Sequence, residues 1–252
     1  MFELTLTVAL LLILAAFLAG VVDSIAGGGG LITVPALLLA GLPPVQALAT
    51  NKVQGAFGAG TAALAYARKG HVDLSVQTLP ALLSFAAAFA GAKLVPHIPT
   101  DVFRLILPVI LIGIAAFFAL KPGHSDADRH HRLSPAVFTA TFVPAIALYD
   151  GLVGPGAGSF FMIGFVLLAG FGVLKATAHT KLLNFASNIG SVAAFALIGA
   201  PLWKLGLAMG LAQMAGAQLG THLAMRIGAR LIKPLLVVTS TAMAFRLIWQ
   251  MV

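Results

Sequence analysis

The 252-residue chain contains no cysteine, so disulfides, iron–sulfur clusters and thiol nucleophiles are excluded from its chemistry. Charge is almost as scarce: Lys, Arg, Asp and Glu together make up 9% of residues, against about 25% in an ordinary soluble domain. Acids are the scarcer sign, 7 against 15 Lys and Arg, for a net charge of +8. In a soluble protein that balance would point to nucleic acid. Here 60% of residues are hydrophobic and the mean hydropathy is +1.03, and short cytoplasmic loops of membrane proteins collect just such Lys and Arg. Hydrophilic stretches are also missing, apart from "KPGHSDADRHHRLS" at 121–134. Its His124, Asp126, Asp128, His130 and His131 are metal-ligand types, but without a fixed scaffold they read as a solvated linker, and no metal site is expected. No Gly-Lys-Ser/Thr follows the glycine run at 27–30, which excludes a phosphate loop. Neither a nucleophile–base pair nor an embedded metal cluster is visible, so no enzyme and no cofactor are expected.

What the chain does have is repeated apolar blocks, most long enough to cross a bilayer at about 20 residues each. Ten segments are expected, at 4–22, 31–42, 45–66, 75–95, 102–120, 135–153, 158–171, 173–199, 203–224 and 231–251. Turn chemistry separates them, as at Pro43-Pro44, "RKGH" 68–71, "PHIPTD" 96–101 and "APLWK" 200–204. The first block carries Glu3 and no Lys or Arg at its leading end, so it reads as a retained helix, not a signal peptide. With ten crossings, Arg68, Lys69, Lys121, Arg129, Arg132, Lys175, Arg226, Arg230 and Lys233 share one side. Only Arg104, Lys204 and Arg246 fall on the other. That asymmetry puts the basic loops in the cytoplasm and both termini outside.

The linker at 121–134 divides the chain into repeat one, 1–120, and repeat two, 135–252. Residues 34–55 align without gaps on 163–184. The identities are Leu38/Leu167, Leu39/Leu168, Ala40/Ala169, Gly41/Gly170, Ala47/Ala176, Ala49/Ala178 and Lys52/Lys181. Just upstream, "DSIAGGGG" from Asp23 matches Asp150 with "GLVGPGAG". Acid, glycine break, short segment and lysine recur in one order. An odd number of crossings per repeat inverts the second copy, an architecture typical of secondary transporters with the substrate near the midplane. The expected fold is therefore an all-α polytopic membrane protein of two inverted five-segment repeats.

Segment 31–42 spans only about 18 Å as a helix, in a hydrocarbon core of about 30 Å. The glycine break before it should then lie within the membrane, presenting backbone N–H groups that attract anions. Gly27, Gly28, Gly29 and Gly30 would do this from one face, and Gly154, Gly156 and Ser159 from the other. Lys52 falls about 12 Å into its helix, and Lys181 lies at similar depth from the opposite surface. Both ammonium groups are expected near the midplane, where an unpaired lysine costs about 2.5–3.5 kcal/mol. Partners are Asp23, Asp150 or a bound anion, with Asn51, Gln54, Thr180, Asn184, Ser187 and Asn188 as hydrogen-bonding neighbours. Two readings stay open: internal lysine–aspartate pairs that hold helices together, or an anion site, favoured because donors outnumber acceptors. Asp23, Asp150 and His179 are the candidate proton carriers.

With "DSIAGGGGLITVPALLLAGLPPVQALATNK" and "YDGLVGPGAGSFF…KATAHTKLLNFASNIG" in view, the chain resembles the TauE/SafE-type permeases. The likeness runs over essentially its whole length, to a subgroup of bacterial inner-membrane transporter proteins. The resemblance implies proton-coupled secondary transport, often export, of small sulfur oxyanions or organosulfonates. It transfers roles to Asp23, Gly27–Gly30, Asn51, Lys52, Asp150, Gly154, Gly156, Thr180, Lys181 and Asn184. The expected partners are a small anion, a coupling proton and the lipid bilayer, with no nucleic acid. An anion-selective channel and a non-transporting assembly factor are the alternatives.

Overall fold

A computed structural model describes residues 5–99, 102, 128 and 130–227. The expected segments 102–120 and 231–251 lie outside the described residues, as does most of the linker, including His124 and Asp126. Among the described residues there is no strand, and eight long helices account for the architecture. They are α1 (Leu6–Ala26), α2 (Gly29–Leu39), α3 (Pro44–Arg68), α4 (Leu74–Leu94), α5 (Pro135–Leu152), α6 (Ala157–Leu167), α7 (Val173–Ala196) and α8 (Trp203–Ile227).

Local chemistry sets several ends. The Thr5 hydroxyl accepts from the Val8 N–H to start α1, and Asp73 accepts from the Ser75 and Val76 N–H groups to start α4. Pro44 and Pro135 occupy first-turn positions, where their missing N–H is not needed. Inside α5, Phe138–Phe142 forms a π turn. Pro144 follows immediately and cannot donate to the ladder, so the local widening accommodates it.

Two boundaries differ from the sequence expectation. α1 continues through Asp23 to Ala26, so the acid lies within the helix, and only Gly27 and Gly28 interrupt the chain before α2 begins at Gly29. Gly27 adopts φ +72 and its N–H closes on the Asp23 carbonyl at 2.8 Å, a left-handed cap that glycine alone adopts without strain. Once that cap has turned the chain, Gly29 and Gly30 meet no obstacle to helical geometry. Tertiary packing then overrides their poor propensity.

α1, α4 with its following turn, and α5 are long and apolar enough to cross a membrane. Their outward faces carry leucines such as Leu10, Leu14, Leu79 and Leu82, as lipid-facing surfaces do. α1 packs on α8, and α4 packs on α5 and α7. α3 lies between α7 and α8 at the centre. Glycines allow several close crossings, including that of α7 on α4, where a Cβ at Gly190 would meet the Phe85 backbone. A Cβ at Gly20 or Gly216 would meet the partner backbone between α1 and α8, and one at Gly91 or Gly151 would do so between α4 and α5. α3 and α7, inside this shell, carry the buried polar side chains.

The described end of the linker is docked on α7. The Asp128 carboxylate accepts from the Gly172 N–H and from Lys175 Nζ, both at 2.7 Å, while Lys175 lies 4.3 Å above the Phe171 ring. His130 and His131 stack on one another. Lys175 and the Gly172 N–H hold the Asp128 carboxyl below the usual aspartate range. The stabilisation is therefore fully present above a pH of about 3.9 and fades as pH falls through the lowered value. Both side chains are about half exposed, and such pairs contribute at most about 1 kcal/mol. Asp128→Ala is expected to shift the melting temperature by no more than about 3 °C at pH 7, checked by thermal unfolding in detergent.

Candidate functional site

The two glycine breaks meet inside the molecule. Gly27 lies against the backbone of Gly158 at the start of α6, and the Ser159 hydroxyl donates to the Gly27 carbonyl. Each break is also tied by a tyrosine. Tyr66 donates to the Ser24 carbonyl at 2.9 Å near the end of α1, and Tyr149 to the Pro155 carbonyl at 2.7 Å in the α5–α6 turn. Gly154 and Gly156 take positive φ in that turn. These contacts fix the irregular backbone where protein surrounds it, the condition for such backbone at membrane depth.

Lysine and aspartate then cross between the two halves. Lys52 Nζ of α3 is 2.5 Å from Asp150 Oδ1 of α5, and Lys181 Nζ of α7 is 3.1 Å from Asp23 Oδ2 of α1. Lys52 and Lys181 are 1% and 0% exposed, so neither is an interfacial side chain reaching for water. The two carboxylates are stabilised differently. Asp23 Oδ1 accepts from the Gly28 and Gly29 N–H groups at 3.1 Å each, so the start of α2 already holds an anion, the side chain just upstream. Asp150 Oδ2 instead accepts from Asn184 Nδ2 at 3.2 Å and from the Ser187 hydroxyl. The aligned positions in repeat one are Gly55 and Gly58, which supply no such donor. Asp23 draws on turn backbone in their place.

A polar cavity sits at this crossing, lined by Asp23, Gly28, Gly29, Gly30, Asn51, Lys52, Asp150, Gly154, Gly156, Asn184 and Asn188. It also takes in Gly55, Gly158 and Gln213, none of which the sequence reading singled out. The space open to the centre of a water-sized sphere is about 30 Å³, a small pocket. Asn51 Oδ1 accepts from Thr33 at 2.6 Å and from Gln54 Nε2 at 3.0 Å, which fixes its amide orientation toward the cavity. A Cβ on Gly154 would stand 3.3 Å from Lys52 Nζ, so the ammonium group lies directly against the α5–α6 turn.

Other expected site residues lie apart from the lining. Lys181 is buried behind Asp23, and Gln54 sits behind Asn51. Gly27 and Ser159 form the contact between the breaks. Thr180 is buried and its hydroxyl has no hydrogen-bond partner. His179 is wedged edge-on between Phe165 and Phe171, with ring centroids 5.7 and 4.9 Å away, outside the cavity lining. Part of the donor excess expected from sequence is spent within the protein: the Gly28 and Gly29 N–H groups and both lysines bond to the two aspartates. Counting both pairs, two cations face two carboxylates, and the four formal charges sum to zero.

Chemically, the arrangement offers a small polar pocket whose one lining cation among the described residues, Lys52, is held by an aspartate from the other half. A model of the family described as sulfite exporter TauE/SafE matches residues 12–247. The chain is 60% identical over 237 residues to "Probable membrane transporter protein ORF9" of Sinorhizobium sp, covering 94% of this chain and 91% of that one. It is 43% identical over 238 residues to "Probable membrane transporter protein YfcA" of Escherichia coli K12, covering 94% and 88%. A "Probable membrane transporter protein" of Haemophilus influenzae is 40% identical over 233 residues, covering 92% and 91%. No solved structure matches. Broken helices meeting at a buried charged pocket recur among secondary transporters, and with the family match across nearly its whole length this multi-pass membrane protein belongs to the TauE/SafE sulfite exporter family.

Proposed function

We propose that the chain is a secondary transporter of a small anion, a sulfur oxyanion or organosulfonate, working by alternating access in the bacterial inner membrane. In this reading it is built as two inverted five-segment repeats, with both termini periplasmic. The exchange of partners supports the repeat: α1 packs on α8 as α5 packs on α4, and each lysine pairs with the other half's aspartate.

The single observation that carries the transport reading is the zero charge balance of the crossed pairs around a small polar cavity. A monoanion that draws Lys52 away from Asp150 leaves one excess negative charge in a poorly screened site. At about 4 Å and an effective dielectric of about 20, unit charges interact by about 4 kcal/mol. A proton on Asp150 removes that excess, so anion and proton occupy the site together and leave it together. The empty site relaxes by reforming the Lys52–Asp150 pair. Both neutral forms, empty and doubly loaded, cross, and the singly charged forms are disfavoured. Export then runs down the substrate's own gradient and carries a proton outward. Lys52 neutralises the anion, Asn51, Asn184 and Asn188 orient it, and Asp23 with Lys181 keeps α1 and α7 joined.

The test is flux in proteoliposomes with sulfite, methanesulfonate and 2-hydroxyethanesulfonate, a trapped pH dye and a valinomycin-clamped potential. Methanesulfonate stays fully ionised, so any proton movement with it belongs to the protein. Saturable uptake with one proton per anion, unchanged by the imposed potential, is the expected result. Conductance that does not saturate would establish a channel and overturn this reading, and potential-driven flux without protons would overturn its proton coupling.

A further inference from the structure

Among the described residues, five buried side-chain polar atoms have no hydrogen-bond partner, on Gln54, Gln77, His179, Thr180 and Gln213. Only one of these residues, Gln213, lines the cavity. Elsewhere in the interior, Ser84, Ser191 and Thr221 spend their hydroxyls on backbone carbonyls. Gln213 is 2% exposed, and its amide makes no hydrogen bond among the described residues. Leaving a buried amide oxygen unpaired carries a free-energy cost that a merely structural residue would avoid.

The fold places this amide with care. The Gln213 carbonyl lies directly against Gly20 of α1. Its side chain fills the notch left by Gly58 on α3, where an added Cβ would stand 2.7 Å from Cγ and Nε2. Backbone and side chain are thus both fixed, one by each neighbouring helix. The amide faces the same small space as Lys52, Asn188 and Asp150.

We infer that Gln213 is a substrate-contacting residue that selects oxyanions over halides, an inference resting on the transport reading above. Lys52 supplies charge and would attract chloride as well as a sulfonate. The unpaired atom is the acceptor Oε1; half a turn about the last side-chain torsion puts Nε2 in its place, and that N–H, on another helix from Lys52, gains a bond from an anion with a second oxygen to reach it. The group is unpaired in the empty protein because its partner is the ligand.

The experiment measures thermal unfolding of purified wild type and Gln213→Met, a volume-conserving change, alone and titrated with methanesulfonate, sulfite or chloride. Gln213→Leu serves as a second variant where the first does not accumulate. Without ligand, Gln213→Met is expected to melt at or above wild type, because it removes an unpaired buried amide. Its affinity for the sulfur anions should fall about tenfold or more, the effect of one hydrogen bond to a charged group, while its response to chloride stays as in wild type. A lower melting temperature without ligand would show the amide to be structural and overturn the inference. Undiminished sulfonate affinity in Gln213→Met, with Lys52→Met abolishing binding, would overturn it alone. A wild-type protein that binds none of these anions overturns the transport reading with it.

Discussion

Lys52→Met is expected to abolish anion transport and to cost about 3–5 kcal/mol of stability, because it leaves the Asp150 carboxylate buried without its counter-charge. Asn184 and Ser187 still donate to Asp150, but neither carries a positive charge. The double variant Lys52→Met/Asp150→Asn separates the two roles of the pair. An asparagine keeps an oxygen for Asn184 and Ser187 and removes the orphaned charge, so most of the lost stability should return. Replacing a buried pair by neutral groups of similar volume is often nearly neutral. Transport should not return, since the cation that meets the anion is gone. Melting temperature and proteoliposome flux, measured on wild type and both variants, check this. A double variant that transports would place the anion's counter-charge elsewhere.

Gly27→Ala is the second large effect. The residue holds φ +72, and an added Cβ would stand 2.6 Å from the Gly158 carbonyl carbon and 2.8 Å from the Ser159 nitrogen. Backbone strain of about 1–2 kcal/mol adds to an overlap between two fixed backbones, with no flexible side chain to give way. Together these exceed about 3 kcal/mol, enough to separate the two breaks or prevent accumulation of folded protein. Gly28→Ala is the control. Gly28 has φ −165, extended backbone that any residue adopts, and its nearest obstacle is a Leu31 methyl at 3.3 Å. Expression and monodispersity by size-exclusion chromatography should collapse for Gly27→Ala and hold for Gly28→Ala. Equal behaviour of the two would show that the contact between the breaks is not what holds the site.

Much of this was legible in the sequence because the signals were local. Apolar runs, turn residues and prolines located all eight described helices to within a few residues. The paired order of acid, glycine break and lysine pointed to Asp23, Lys52, Asp150 and Lys181. The length of the glycine break was misread from propensity: Gly29 and Gly30 are helical because Gly27 alone makes the turn. The crossed pairing was not legible, since nothing local chooses between two aspartates 98 or more positions from their lysines. Gln213 gave no signal at all. It stands in α8 among glycines, alanines and methionines, and its meaning comes from the notch at Gly58 and an amide left without a partner.

A density map of the protein at high resolution with saturating methanesulfonate is the decisive measurement. The anion is expected in the cavity against Lys52 and Gln213, with Lys52 Nζ drawn beyond bonding distance of Asp150. An anion bound elsewhere, with the 2.5 Å Lys52–Asp150 pair intact, would contradict it.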